Sequence, residues 1–447
     1  MSGRVPPQLG GVFVHPLSYV RAERGWTYQD LVNVIARRVG NMARRREKAW
    51  RWEHWGTMPD RDTQLALAAE LGVSEELLIT HPWPDWLPVG DPISVDFSWD
   101  QAGSMLALNQ ALEKAMMDRR GFMQLTGMSL TAFATDWLNV EPTQLLSVLR
   151  GGRITGEFVA QIEAGLPRLR LLGDNYGGQR ARKLLDAELG MVVEVLEKSS
   201  YTPAVAQRLH GLAAELGRLA GFASFDAGLH SAAQRYWVAA VHSAHAAGDR
   251  AVGANILKSM ALQCYDFGKF ADFLAIARTA YESAGDVTPR TASMLAVRLA
   301  RAHASVGDTA ESRRLLGIAD TQFERGLRED DPSWVDYFDE GEFHAQVGMC
   351  HLDLGDLLRA DSHLDKALKH FSEVKALDQT TYLIMQARVQ NDLGNADQAG
   401  DLLNQAVPLV EQVPSQRNVN RLLAAHDRLP EDTRRSDLNQ RLSTLMG

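Results

Sequence analysis

The stretch AGFASFDAGLHSAAQRYWVAA, Ala220–Ala240, decides the fold. Gly228 lies seven residues after the small Gly221, and five, nine and twelve residues before Ala233, Trp237 and Ala240. The same offsets recur around Gly268, Gly307, Gly355 and Gly394, at separations of 40, 39, 48 and 39 residues. Seven residues before these four come Ala261, Ala300, Gly348 and Ala387, and five after come Phe273, Ser312, Ala360 and Ala399. Nine after come Ala277, Leu316, Leu364 and Leu403, and twelve after come Ala280, Ala319, Ala367 and Ala406. Physically this reads as a helical hairpin repeated along the chain. The first small residue lets helix A approach its partner, the glycine permits a tight reversal, and the late alanine lets the next unit pack closely. Each unit leaves an apolar face open, so neighbours must stack.

This small–Gly–small–large–Ala spacing resembles the tetratricopeptide (TPR) pattern, stretched beyond its usual ~34-residue period, so helices or loops are expected to be longer than standard. The resemblance implies a superhelix over 205–413 with a concave groove lined by one face of each helix A. Counting back from the turns places Asn255, Lys258, Leu262 and Tyr265 in that groove, then Met294 and Arg301, Glu342 and Met349, and Ile384, Arg388 and Asn391. Asparagine can bond a peptide backbone, arginine can take a carboxylate, and Tyr, Leu and Met supply apolar contact. The plainer alternative is that they are solvated walls or interdomain contacts. Residues 414–447 follow Pro414, carry many charges and read as a capping helix.

Upstream the composition changes. Eight of the ten tryptophans lie at or before Trp137, and no stretch alternates like a strand, so an all-α protein is expected. THPWPDWLPVGDP, Thr80–Pro92, opens a Pro/Trp-rich linker over 80–99, semi-rigid and packed locally by Trp83 and Trp86. Residues 100–204 form a helical bridging region. Within it DRRGFMQLTGMSL, Asp118–Leu130, looks superficially like an export signal, but no sustained apolar run follows. Arg119 and Arg120 are expected at helix ends or domain contacts.

The first block, 1–79, contains LSYVRAERGWTYQDLVNVIARRVGNMARRREKAWRWEHWGTMPDRDTQLALAAELGV, Leu17–Val73. A helix carrying Leu17, Val20 and Arg21 ends near Gly25. Thr27 is placed to N-cap the next, with Leu31, Ile35 and Val39 on one face. A turn at Gly40–Asn41 leads to a helix ending at Gly56, and Thr63–Leu71 forms the last. The Arg21-x-x-x-Gly25-x-Thr27 start, Trp52-Glu53 and the closing LALAAELGV make this block resemble the Xre (lambda-repressor-like) helix-turn-helix. The Leu31–Glu53 stretch exceeds the compact family pattern by roughly two helical turns. Arg37, Arg38, Arg44, Arg45, Arg46, Lys48 and Arg51 face one acid, Glu47, giving a local charge of +6. Such a cluster neutralises phosphates, and arginine can also read guanine edges. Trp50, Trp52 and Trp55 are expected as scaffold, since duplex recognition needs no stacking. The plainer alternative is a basic helix docked on the acidic body.

The whole chain of 447 residues carries a formal charge of −9, against indiscriminate coating of nucleic acid or a polybasic membrane contact. That acidity is unevenly spread: residues 1–85 hold 11 basic and 10 acidic side chains, the remainder 36 and 46. Two cysteines, Cys264 and Cys350, exclude a disulfide framework. With no secretory signal at the start, a cytoplasmic location is expected. No phosphate loop, dinucleotide turn or HExxH motif is present, so no catalytic residues, metal or cofactor are expected. His242 and His245 read as surface histidines; Asp336, Asp339, Glu340 and Glu342 could bind a cation but read better as a solvated insertion or a dock for arginines.

Together the blocks resemble actinomycete transcriptional regulators with an Xre-type module before a TPR domain, LAGFASFDAGLHSAAQRY and AHAAGDRAVGANIL being especially close. The resemblance implies a homodimer on double-stranded operator DNA, controlling secondary metabolism or development. Its groove would sense a peptide, small molecule or protein. The alternative is a TPR protein–protein interaction adaptor whose helix-turn-helix no longer binds DNA.

Overall fold

The computed structural model describes residues 16–24, 26–40, 45–54, 57–73, 75, 78, 83–84, 86–87, 95–115, 154, 156–370, 376–430 and 441. Among these the regular structure is helical. The expectations for Arg44, Trp55, Arg119 and Arg120 fall outside the described residues.

Four helices open the chain: α1 (Pro16–Glu23), α2 (Tyr28–Val39), α3 (Arg46–His54) and α4 (Arg61–Leu71). Thr27 caps α2 through a reciprocal box: its hydroxyl accepts from the Asp30 backbone, while the Asp30 carboxylate accepts from the Thr27 backbone. Leu17, Leu31, Ile35, Ala49, Trp52 and Leu67 form a core with no member from the C-terminal hairpins. Trp86 and Leu87 of the proline-rich segment belong to it. Trp86 donates to Gln64 at 3.2 Å and meets Trp83 edge-on, so this segment is packed locally as expected.

Next come α5 (Gln101–Ala115), α6 (Gly156–Tyr176) and α7 (Gly178–Lys198). Five hairpins follow: α8 (Pro203–Asp226) with α9 (His230–Ala247), α10 (Arg250–Asp266) with α11 (Phe270–Ser283), and α12 (Pro289–Ser305) with α13 (Thr309–Phe323). The last two pair α14 (Glu340–Asp353) with α15 (Leu357–His370), and α16 (Ala376–Asp392) with α17 (Ala396–Gln412). Their turns fall at the glycines read from the sequence, with left-handed backbone such as φ 77° at Gly228 and 88° at Gly394. The recurring offsets correspond to contacts. A Cβ added to Gly221 would lie 2.3 Å from the Trp237 indole nitrogen, and one on Gly348 would lie 3.0 Å from Leu364 Cγ. The five late alanines, Ala240, Ala280, Ala319, Ala367 and Ala406, are all buried. Apolar burial against the neighbouring unit holds such an array together.

Some expectations need correction. Leu108 of α5, Val159 of α6 and Leu189 of α7 share one core with Leu216 and Tyr236 of the first hairpin. His242 and His245 are buried, at 1% and 2% exposure, because Phe97 and Trp99 fold over them. Trp99 stacks on His242 with ring centroids 4.1 Å apart. The acidic group around the start of α14 is dispersed. Asp336 and Glu340 face solvent, Asp339 caps α14 by accepting from the Glu342 backbone at 3.0 Å, and the Glu342 side chain is buried. The long fourth interval is filled by residues 324–339, which send Trp334, Val335 and Phe338 into the core.

The final helix, α18 (Gln416–His426), ties the end of the array back to its beginning. Ser415 donates to Asp226 at 2.7 Å, Arg417 lies 3.4 Å from the same carboxylate, and Arg421 donates to Asp266 at 2.6 Å. The described part of the cap read over 414–447, residues 414–430, is thus a brace onto α8 and α10, and the rest apart from 441 lies outside the described residues. No helix among the described residues is long and apolar enough to cross a membrane.

Candidate nucleic-acid interface and the inner face of the hairpins

Helix α3 holds its orientation through one buried carboxylate. Glu53 accepts from Arg21 Nε at 2.8 Å, Ser18 Oγ at 2.8 Å and Tyr28 Oη at 3.1 Å. Arg21 also lies 4.1 Å over the Tyr28 ring and donates to the Trp26 carbonyl at 3.0 Å. Burial pushes the Arg21 guanidinium down, but Glu53 outweighs it and leaves it raised. A buried carboxylate with three donors is satisfied and directional, so it fixes which side of α3 faces α1 and α2. Ala49 and Trp52 bury on that side.

The other side is basic. Arg45, Arg46 and Arg51 are exposed and Lys48 is half-buried, while Arg37 and Arg38 are exposed at the end of α2. Arg38 reaches Glu70 at 3.1 Å and Arg46 lies 3.7 Å from Glu47; both pairs are surface contacts that water and salt weaken. Positions 37, 38, 46, 48 and 51 thus stand on consecutive helices of one small unit, with 45 just before the second of them. The pairing of Arg21 with Glu53 was not deduced from the sequence, although both residues stood in the quoted motif. A lone acid on the inward side of a basic helix is the signal that announces it.

The groove residues all lie on the first helices of their hairpins, but as a packed polar interior. Asn255, Lys258, Arg301 and Met349 are buried; Leu262, Tyr265, Arg388 and Asn391 are half-buried. Met294, Glu342 and Ile384 are buried too. Tyr265 donates to Asp353 at 2.5 Å, Arg301 donates to the same carboxylate at 3.1 Å, and the guanidinium lies 3.9 Å over the Tyr265 ring. This joins α10, α12 and α14 across the inner face. Glu342 accepts from Tyr382 and Gln346, both at 2.9 Å. Farther along, Arg388 lies 3.9 Å from Asp392, and Asn391 donates to the Arg428 carbonyl at 3.4 Å.

Other members went unnoticed in the sequence. Glu215 accepts from Arg218 and from Arg170 of α6, each at 2.9 Å. Burial pushes its carboxyl up, but Arg218 and Arg170 overcome this and hold it at about 2. Tyr337, from the segment before α14, hydrogen-bonds to Lys258. These partners lie far apart in sequence, so no local pattern marks them.

No protein-family model matches the chain, and no curated protein matches it either.

Proposed function

We propose that this protein is a DNA-binding transcriptional regulator. In this reading α1–α4 are an Xre-type helix-turn-helix unit, and α8–α17 are a TPR superhelix that senses a signal. The observation that carries it is the split character of α3: Glu53 and Trp52 pin one side, while Arg46 and Arg51, with Arg45 just before the helix, are exposed. A rigid helix presenting arginines from a small folded unit suits phosphate contact and base reading in a major groove. The acidic remainder discourages indiscriminate coating, so binding is local and salt-sensitive.

The chain acts as a homodimer in this proposal. Ligand occupancy of the hairpin array alters its curvature and so the spacing of two DNA-binding units, which requires different ligand affinity in the two states. Genome-wide capture of bound DNA tests the reading. The expected result is a recurrent motif with two-fold symmetry. Recovery of no enriched sequence would contradict DNA regulation and leave the adaptor reading.

A further inference from the structure

Helix α7 carries two apolar stripes. One turns inward: Leu185, Leu189, Val192 and Leu196 are buried in the core shared with the first hairpin. The other turns outward. Leu184 and Met191 are 53% and 37% exposed, and Ala187 between them is exposed as well. Spacings of three, four and seven residues put these on one side of a helix. Space beside that side is open, since a Cβ built on Gly190 would meet no atom within 4 Å. Charge is divided along the stripe. Arg180 and Lys183 are exposed at its start and Glu194 near its end. Glu194 accepts from Lys198 at 3.0 Å, an exposed pair that water and salt weaken.

Clustered apolar side chains left in water mark a contact surface. The order of the residues says what covers it. Cation, leucine, alanine, methionine and acid in succession complement the same series read backwards. We propose that α7 docks on α7 of a second copy of this chain, antiparallel about a two-fold axis between Ala187 and Glu188. That axis exchanges Leu184 with Met191, so each leucine packs on a methionine, and small Ala187 lets the helices approach at the centre. Lys183 and Glu194 are eleven residues apart, about three turns, and so share one edge of the stripe. In the pair, Lys183 stands opposite position 192 of the other copy, about 3 Å of rise from the acid at 194. Opposite charges therefore meet twice across the axis, whereas parallel pairing would set like against like. Glu188, half-buried, lies near its own counterpart at the axis, which with the small area of one helix pair makes the association reversible. The inference deepens the homodimer of the regulator reading and rests on that dimer, yet the docking step requires no DNA.

The test is sedimentation equilibrium of the full chain over a range of concentrations, beside three variants. A monomer–dimer equilibrium is expected. Leu184→Glu and Lys183→Glu should each weaken it by more than about tenfold with Tm unchanged, since both side chains are exposed. Lys183→Glu combined with Glu194→Lys should restore it, because the swap recreates the opposite charges across the axis. Ala187→Cys gives a second readout: mild oxidation should link two copies through this position, while a control Leu358→Cys, exposed on α15, should not link them. The native Cys264 and Cys350 are buried and do not compete. A monomer at every concentration, a dimer indifferent to the single substitutions, or no rescue by the swap would overturn the inference. A dimer that binds its promoter but ignores these changes refutes the α7 interface alone; one that depends on α7 but binds no DNA refutes only the regulator.

Discussion

The N-terminal unit and the hairpin array each gather several cations, yet they place them oppositely. On α3 a single buried acid, Glu53, neutralises Arg21, while Arg46 and Arg51, and Arg45 just before the helix, are exposed. On the inner face of the hairpins Arg218, Lys258, Arg298 and Arg301 are all buried. Exposed cations are inexpensive, screened by salt and available to a polyanion. Buried ones need carboxylates and hydroxyls close by to offset the loss of water. Residue type alone does not decide the role of an arginine; its surroundings do.

Charge reversal should separate the two regions most strongly. Arg45→Glu, Arg46→Glu and Arg51→Glu together should weaken DNA binding by more than about 100-fold and flatten its salt dependence, while Tm barely moves. Electrophoretic shift and thermal unfolding check this together, and an unchanged affinity would break the comparison.

Breaking a buried pair should cost stability where that pair sits. Glu53→Gln should destabilise the N-terminal unit by about 3 kcal/mol, and Arg421→Met should destabilise the hairpin array by a similar ~3 kcal/mol by stranding Asp266. Hydrogen exchange would show each loss confined to its own region. Uniform loss of protection after either change would mean that the two regions unfold as one.

Acid should affect the array through its histidines. Burial lowers His210 and His242 to about 4. The folded state therefore binds fewer protons, so their stabilisation is complete above about 6.5 and declines as pH falls towards 4. Each should remove about 2 kcal/mol by pH 5, a loss that His242→Gln would reduce in denaturant melts across that range. A pH-independent midpoint would contradict their burial. The smallest effect is expected from Thr27→Ala, which removes the capping box at about 1 kcal/mol and should be visible as faster exchange in the first turn of α2.

The hairpins were legible because their determinants are local: Gly221 meets Trp237 within one unit, and Gly228 makes the turn between them. Thr27 with Asp30 was legible for the same reason. The brace from Arg417 and Arg421 to Asp226 and Asp266 was not, since it joins opposite ends of the array. His242 was misread because Trp99, which covers it, comes from the linker far upstream. On the candidate interface the charges could be counted from sequence, but their orientation depended on Glu53 finding Arg21, Ser18 and Tyr28. On the inner face the positions could be counted from the turns, while their enclosure depended on α6 and on Tyr337.

The central claim is that the exposed arginines at and just before α3 bind duplex DNA. Fluorescence anisotropy of the full chain on its own promoter, titrated from low to physiological salt beside the Arg45→Glu, Arg46→Glu, Arg51→Glu protein, tests it most directly. The account predicts a specific complex that weakens steeply with salt and is lost in the variant. A complex indifferent to salt and to those three substitutions, or none at any salt concentration, would contradict it.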